Sequence, residues 1–453
     1  MRRRRFALRL VAALRLVALL GVASGLLTAC TGDDAAPDST EPTAEAVSGT
    51  ALYLVDGNLG QRSIERLPAG TMSGVQGSVP GAEPSEEFRT ELEAQDPDLA
   101  GIAYSYAPET YDAVTLIALA AQAAHADAGI KLAEQLGSVS EDGQMCASFE
   151  ECDGLLRQGE DINYEGQSGP VDFDAYGDVK AATVGLFSYD DQNLVPSYNT
   201  AASPDLPPTF VEGNVQERSG GAPQLSTMTN SGADGKLVLG GLLPTTGSLS
   251  TFAPAIDAAM SLAVDQINKA GGVIGRKVTV VSGDGGADAA QASVDQQLAS
   301  GADAIVSATS SQTSLDLLDQ VASAGVLMMG SSQTSPELAA ADDAGLYYRT
   351  APSDQLQGQV LADRVSDGGG DKVAIIARDD AYGHGLADSV TQRVKSNGGE
   401  VVDTTFYDVG EDRFGKEVQA VSASAPNAIV VVGFDESGKI IKELVAAGVG
   451  PNS

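Results

Sequence analysis

KLVLGGLLPTTGSLSTFAPAIDAAMSLAVDQINKAGGVIGRKVTVVSGD, residues 236–284, decides how this chain is read. A short apolar run opens it, and after Pro244 the residues Ile256, Met260, Val264 and Ile267 recur at steps of four, four and three, the spacing of one helix face. KVTVVSGD then supplies a second strand. Working outward, DAIVSAT, GVLMMGS, LYYRTA, KVAIIARD and NAIVVVGF are further apolar strands, each expected to be followed by a helical stretch, and Ile440, Ile441, Leu444 and Val445 repeat the helical spacing. Repeated βα units predict an α/β fold of parallel sheets with helices on both faces.

Upstream, ALYLVDGN from Ala51 reads as a strand and TYDAVTLIALAAQAAHA as an Ala-rich helix. GPVDFDAYGDVKAATVGLFSYD reads as a β-pair turning at Ala175, Tyr176 and Gly177. Nothing in this block repeats anything after residue 236, so the chain is one set of parts rather than two copies. Between the blocks, 199–235 carries Pro204, Pro207, Pro208, Pro223 and many Ser, Thr and Gly, the composition of a linker. Residues 31–50 are polar and acidic without apolar periodicity and are expected to be a flexible tether.

The first 29 residues have the pattern of an export signal. Arg2, Arg3, Arg4 and Arg5 form a basic start, Phe6 to Leu27 is mostly apolar, and small residues precede Cys30. Leu27-Thr28-Ala29-Cys30 resembles the lipobox of bacterial lipoproteins, which implies cleavage before Cys30 and lipidation of its thiol. Arg9 and Arg15 interrupt the apolar run and leave it short of a clean membrane span of ~20 residues. With Cys30 lipidated, Cys146 and Cys152 remain as an even pair in an oxidising compartment and are expected to form a local disulfide.

The 453 residues suffice for two or three domains. The formal charge of −35 falls to about −41 once the six leader arginines are removed. That argues against nucleic acid, because phosphate contacts need basic surface. Two histidines, His125 and His384, leave little material for a zinc cluster or a His-dependent triad. No P-loop, Gly-x-Ser-x-Gly or His-Glu-x-x-His is present, and Asp288 stands where a dinucleotide fingerprint wants its third glycine. No catalytic residue, cofactor or metal is expected, and an enzyme is the least favoured reading.

In parallel sheets ligands bind where loops leave the carboxyl ends of the strands and helix N-termini present backbone N–H groups. That rule selects Ser310, Ser311 and Gln312; Ser331, Ser332, Gln333 and Thr334; Ser353 and Asp354; Asp379, Asp380 and Tyr382; Phe434 and Asp435; and Asp56 and Asn58. Hydroxyls near helix N-termini suit a carboxylate, and Asp side chains with backbone carbonyls suit an ammonium, so the set describes a zwitterion site. Taken one at a time, such residues are as often helix caps. Thr334-Ser335-Pro336 also reads as the start of a helix.

Several strings together resemble the type I periplasmic binding proteins, specifically the Leu/Ile/Val-binding proteins of ABC importers. They are LLPTTG with AAMSLAVDQINKAGGVIGRKV, SSQTSPEL, YYRTAPSDQLQG, ARDDAYGHGLADS and VVVGFDESGKIIKEL, joined by YLVDGN, TYDAVTLIALAA and GEDINYEGQSGPVDFDAYGD. The resemblance covers 51–198 and 236–453, but in that family the second block comes first. It therefore implies a circular permutation in which 199–235 joins the old ends, a stretch that reaches ~35 Å when flexible. The competing order is a fusion of two truncated genes whose pieces swap between molecules.

The resemblance further implies two Rossmann-like lobes joined by a hinge. Lobe one takes 236–352 and about 78–165; lobe two takes 354–453, 51–77 and 166–198. Ser310 or Ser311 with Thr334 would bind a ligand α-carboxylate. The Ser332 carbonyl and Asp56 would hold its ammonium, with Asp354 nearby, Tyr382 closing over the ligand, and an aromatic position at Phe434. The family's usual acidic group at Asp56 is a Glu, one methylene longer, and an inward Asp435 would favour a polar or basic ligand. Implied partners are a small amino acid or related solute, the permease subunits of an ABC importer, and the membrane through the N-terminal lipid. A ligand sensor on the same fold is the alternative.

Overall fold

The computed structural model describes residues 49–99, 104–195, 209–214 and 234–451. The expected leader, Cys30, nearly all of the tether and most of the joining stretch lie outside them.

The block from 51 to 195 supplies β1 (Ala51–Leu54), α1 (Arg62–Glu65), β2 (Gln76–Pro80), α2 (Glu86–Gln95), α3 (Ala107–Ala124), α4 (Gly129–Ser140), β3 (Gln144–Cys146), α5 (Phe149–Leu156), β4 (Ile162–Tyr164) and β5 (Ala181–Ser188). β6 (Thr209–Asn214) stands in the joining stretch. The later block supplies β7 (Val238–Leu243), α6 (Ala253–Lys269), β8 (Thr279–Asp284), α7 (Ala287–Ala299), β9 (Ala304–Ser307), α8 (Ser311–Ser323), β10 (Leu327–Gly330) and β11 (Tyr347–Arg349). It continues with α9 (Asp354–Asp367), β12 (Lys372–Arg378), α10 (Ala381–Ser396), β13 (Glu400–Tyr407), α11 (Gly415–Ala423), β14 (Ala428–Val432) and α12 (Ser437–Ala446).

Two main sheets result. The first runs β11-β10-β9-β7-β8 and is parallel throughout. The second runs β13-β12-β14-β1-β2-β5-β6, parallel as far as β2 and antiparallel at β5 and β6. β1 lies between β14 and β2, with Ala51 opposite Ala428, Leu52 opposite Ile429 and Tyr53 opposite Val430. The sequence places β1 there because successive side chains of a strand face opposite ways. Leu52 and Leu54 join Ile376, Ile429 and Val431 on one face, while Tyr53 and Val55 join Ile375, Val430 and Val432 on the other. A strand buried on both faces reads as an unbroken apolar run, and ALYLV does.

The helix spacing in the opening stretch has its packing counterpart. Ile256, Met260 and Ile267 of α6 are buried and Val264 is half-buried, with α6 packed on α3. Cys146 and Cys152 form the disulfide.

Three local expectations need correction. The joining stretch is not featureless: Thr209 to Asn214 pair with β5, where Phe210 lies over Gly185 and Leu356 fills the space beside Gly213. A Thr-Phe-Val run suits a pleated edge even amid Pro and Gly. The turn at Asp174 to Asp178 closes only a single bridge, Phe173 to Val179, and β5 pairs instead with β2 and β6. No α-helix starts at Thr334; only a short 3-10 turn forms, over Leu338–Ala340.

Candidate functional site

Asp56 leaves the end of β1 and is buried, with its carboxylate accepting three hydrogen bonds. Tyr106 donates to one oxygen, while Gln357 Nε2 and the Tyr382 hydroxyl, each at 2.8 Å, donate to the other. Burial pushes the Asp56 carboxyl above the ordinary aspartate value, and the three donors oppose that rise by favouring the charged form. Burial, followed by the Asp56 charge, holds the Tyr106 and Tyr382 hydroxyls well above the usual tyrosine value, so both remain donors.

The loop carrying Asp56 is pinned to the loop after β14. Asn58 Nδ2 donates to the Gly433 carbonyl at 2.9 Å and to Ser437 Oγ at 2.7 Å, and its Oδ1 accepts from the Val55 N–H. Gly57 permits the approach: a Cβ there would stand 2.5 Å from the Gly433 oxygen and from the Phe434 ring.

Phe434 stacks on Tyr382 with ring centres 5.2 Å apart, and the Arg378 guanidinium lies 4.1 Å from the Phe434 centroid. Arg378 is paired with Asp380 at 2.9 Å and Glu436 at 2.6 Å, so it props the ring without presenting a free charge.

The other wall comes from the first sheet. After β9, Ser310 caps α8 by accepting from the Thr313 N–H, and Ser311 accepts from the Ser335 N–H at 3.1 Å. After β10, Ser332 Oγ donates to the Thr309 carbonyl at 3.0 Å, and the Thr334 carbonyl accepts from the Asp354 N–H at 2.8 Å. Arg349 anchors this loop from behind. Its guanidinium makes two 2.7 Å bonds to Asp178 and donates to the carbonyls of Gln333 and Ser335. Fully buried, it stays charged because Asp178 is its partner.

Asp56, Ser310, Ser311, Ser332, Thr334, Tyr382 and Phe434 line a single narrow cavity. Apart from Thr309, its remaining wall is mostly apolar: Pro244, Leu249, Phe252, Ile256 and Ala308, with Tyr106 set edge-on to Phe252. The lobes touch on both sides of it. Thr251 donates to the Gly60 carbonyl at 3.1 Å on one side, and Ser335 donates to the Ala381 carbonyl at 2.9 Å on the other.

Two expected residues stand elsewhere. Asp354 is buried behind Thr334 rather than in the cavity lining, with the Thr334 side chain as the neighbour that favours its charged form. Burial first, and then the Asp56 charge, push its carboxyl well above the usual range. Asp435 is exposed and turned out of the cavity, accepting from the Ser63 N–H at 3.2 Å. The inward Asp435 is therefore corrected, because α1 offers its carboxylate a backbone donor outside.

The sequence reading missed Tyr106, Phe252 and Gln357. Tyr106 holds a left-handed backbone, φ +66°, just before α3, so its direction depends on a turn that periodicity does not report. The one available signal was its place ahead of Ala107-Pro108, a helix start.

Two α/β lobes have strand-end loops that meet over a cavity with hydroxyls on one wall and a carboxylate on the other, the place where α/β sheets offer a cleft for a ligand. Residues 236–453 match the family described as periplasmic binding protein, and residues 51–192 match the receptor family ligand binding region. With these two matches, the fold is that of the type I periplasmic binding proteins.

It is similar to the chemotactic signal transduction system substrate-binding protein BasB of Halobacterium salinarum, 33% identical over 227 residues, which are 47% of this chain and 54% of that protein. It is also similar to Leu/Ile/Val-binding protein homolog 3 of Brucella melitensis, 29% identical over 48% of this chain and 60% of the relative. Among solved structures, the branched-chain amino acid transporter substrate-binding protein LivJ of Streptococcus pneumoniae in complex with isoleucine is 27% identical. That match covers 47% of this chain and 62% of the other, at a TM-score of 0.42. The chain spans about half to three-fifths of the length of the relatives it matches.

Proposed function

We propose that this protein captures a small amino acid with an apolar side chain, of the branched-chain kind, for an ABC importer, in a permuted version of the family order. The observation that carries the reading is that Asp56, from the early block, lines the same cavity as Ser310, Ser311 and Thr334 from the late block.

The division of labour follows from charge. Hydroxyls and the N-terminal amides of α8 meet the ligand carboxylate. Asp56 and the Ser332 carbonyl meet the ammonium, and Leu249, Phe252 and Ile256 meet the side chain. Ligand contacts from both lobes favour the closed arrangement, since only differential affinity for it shifts the hinge.

On this reading the protein works outside the cytoplasm, tethered through lipid on Cys30, and carries out no chemistry on its ligand. Titration calorimetry against a panel of amino acids tests it. Saturable binding of Leu, Ile or Val at one per chain is expected, and no heat with any zwitterion sinks the reading.

The relative from Halobacterium salinarum, named for a chemotactic system, gives the sensor reading its one supporting observation. Reconstitution with the permease separates the two. Ligand-dependent stimulation of ATP hydrolysis supports import, and binding without stimulation supports sensing.

A further inference from the structure

Gln333 sits between two cavity-lining residues, Ser332 and Thr334, yet does not line the cavity. It is fully buried and points the other way, into a cluster of hydroxyls beneath the site. Its Nε2 lies 3.0 Å from the Thr309 carbonyl, 3.1 Å from Ser307 Oγ and 3.2 Å from Thr309 Oγ1. Its Oε1 accepts from the Ser332 N–H at 3.4 Å, and its own carbonyl accepts from Arg349 at 3.1 Å. Ser314 completes the cluster, 2.8 Å from Thr309 Oγ1 and 3.1 Å from Ser307 Oγ.

These bonds join two loops that no strand pairing joins. One is Ala308 to Ser311, beyond β9; the other is Ser331 to Thr334, beyond β10. The ladder between the two strands ends at Gly330 and Ser307, so past that point the Thr309 carbonyl depends on side chains for donors. Gln333 and Ser332 are those donors.

We propose that Gln333 is a positioning residue for the ligand carboxylate: its amide locks the β9 loop to the β10 loop and so fixes where Ser310 and Ser311 stand relative to Thr334. The geometric part stands on the bonds above, and the ligand part rests on the amino-acid reading. A group that merely filled space would need only volume. Gln333 instead places two N–H donors among three buried acceptors, and its loss leaves oxygens that water does not reach.

The test uses the full chain and two variants, Q333L and Q333E. Q333L keeps nearly the same volume without donor or acceptor. It is expected to weaken binding of whichever amino acid the wild type takes up by ~10- to 100-fold although no cavity-lining residue is replaced. Q333E carries a donor only when protonated. Its affinity is expected to recover toward the wild type as pH is lowered, with the wild type changing less over the same range, a profile that a purely structural role would not produce. Amide hydrogen exchange on ligand-free Q333E, compared between high and low pH, reads the loops directly. Once the intrinsic pH dependence of exchange is divided out, lower protection than in the wild type at Thr309 to Ser311 and Ser332 to Ser335 at high pH, restored at low pH, is expected.

Wild-type-like affinity in Q333L, or loop protection in Q333E that does not respond to pH, overturns the proposal. If Q333L does not fold, the Q333E comparison decides. A wild type that binds no amino acid defeats the proposed function, while the exchange result still decides the role of Gln333.

Discussion

Asp56 is buried, which raises its carboxyl, while three side chains that donate to it favour the charged form, and among the described residues it is the only carboxylate in the cavity lining. Asp56→Asn keeps the size but removes the charge that would face an ammonium. Amino-acid affinity is expected to fall at least ~30-fold by calorimetry, with far-UV dichroism unchanged. A second buried acid titrates where it can be watched. Glu109, in the first turn of α3, has an oxygen without a partner, and burial pushes its carboxyl up to about 8. The unfolded chain releases that proton near the ordinary glutamate value, so between there and about pH 8 the folded state holds more protons and stability falls as pH rises. Asp303, pushed by burial up to about 7, adds a loss of the same sign. Melting temperature should therefore drop between pH 5 and pH 8. Glu109→Gln should flatten the drop and be more stable than the wild type at pH 8 by on the order of a few kcal/mol, with little difference at pH 5.

At the scale of elements, the Cys146–Cys152 link closes a loop of only a few residues between β3 and α5. Short loops lose little chain entropy, so replacing both cysteines by Ser should cost about 2 kcal/mol in denaturant unfolding, and a much larger loss would mean that the bridge holds more than its own loop. What the sequence made legible follows the same physics. β1, β12 and β14 are buried on both faces and stood out as apolar runs, and α6 stood out by its spacing. β6 did not, because an edge strand needs only a few apolar residues and these lie among prolines and glycines. The acids and hydroxyls at strand ends were legible because parallel sheets send such loops to one edge. Asp435 was misread because its direction is set by the Ser63 amide, and Tyr106 was missed because a left-handed turn aims it. Contacts between segments distant in sequence leave no local period.

For the whole molecule, the account requires that two blocks in inverted order build one sheet and one cavity. β1 beside β14 and Asp56 opposite Thr334 meet that requirement within a single chain. Rebuilding the gene so that 236–451 precedes 51–195 should then preserve ligand affinity within a few-fold, since the new junction lies away from the cavity; loss of binding would tie function to the present order. The most direct measurement is native mass spectrometry of the purified full chain titrated with Leu, Ile or Val. The account predicts a monomer that takes up one amino acid. Binding confined to a dimer, with a monomer that takes up none, would mean that the blocks complete each other between molecules and would contradict it.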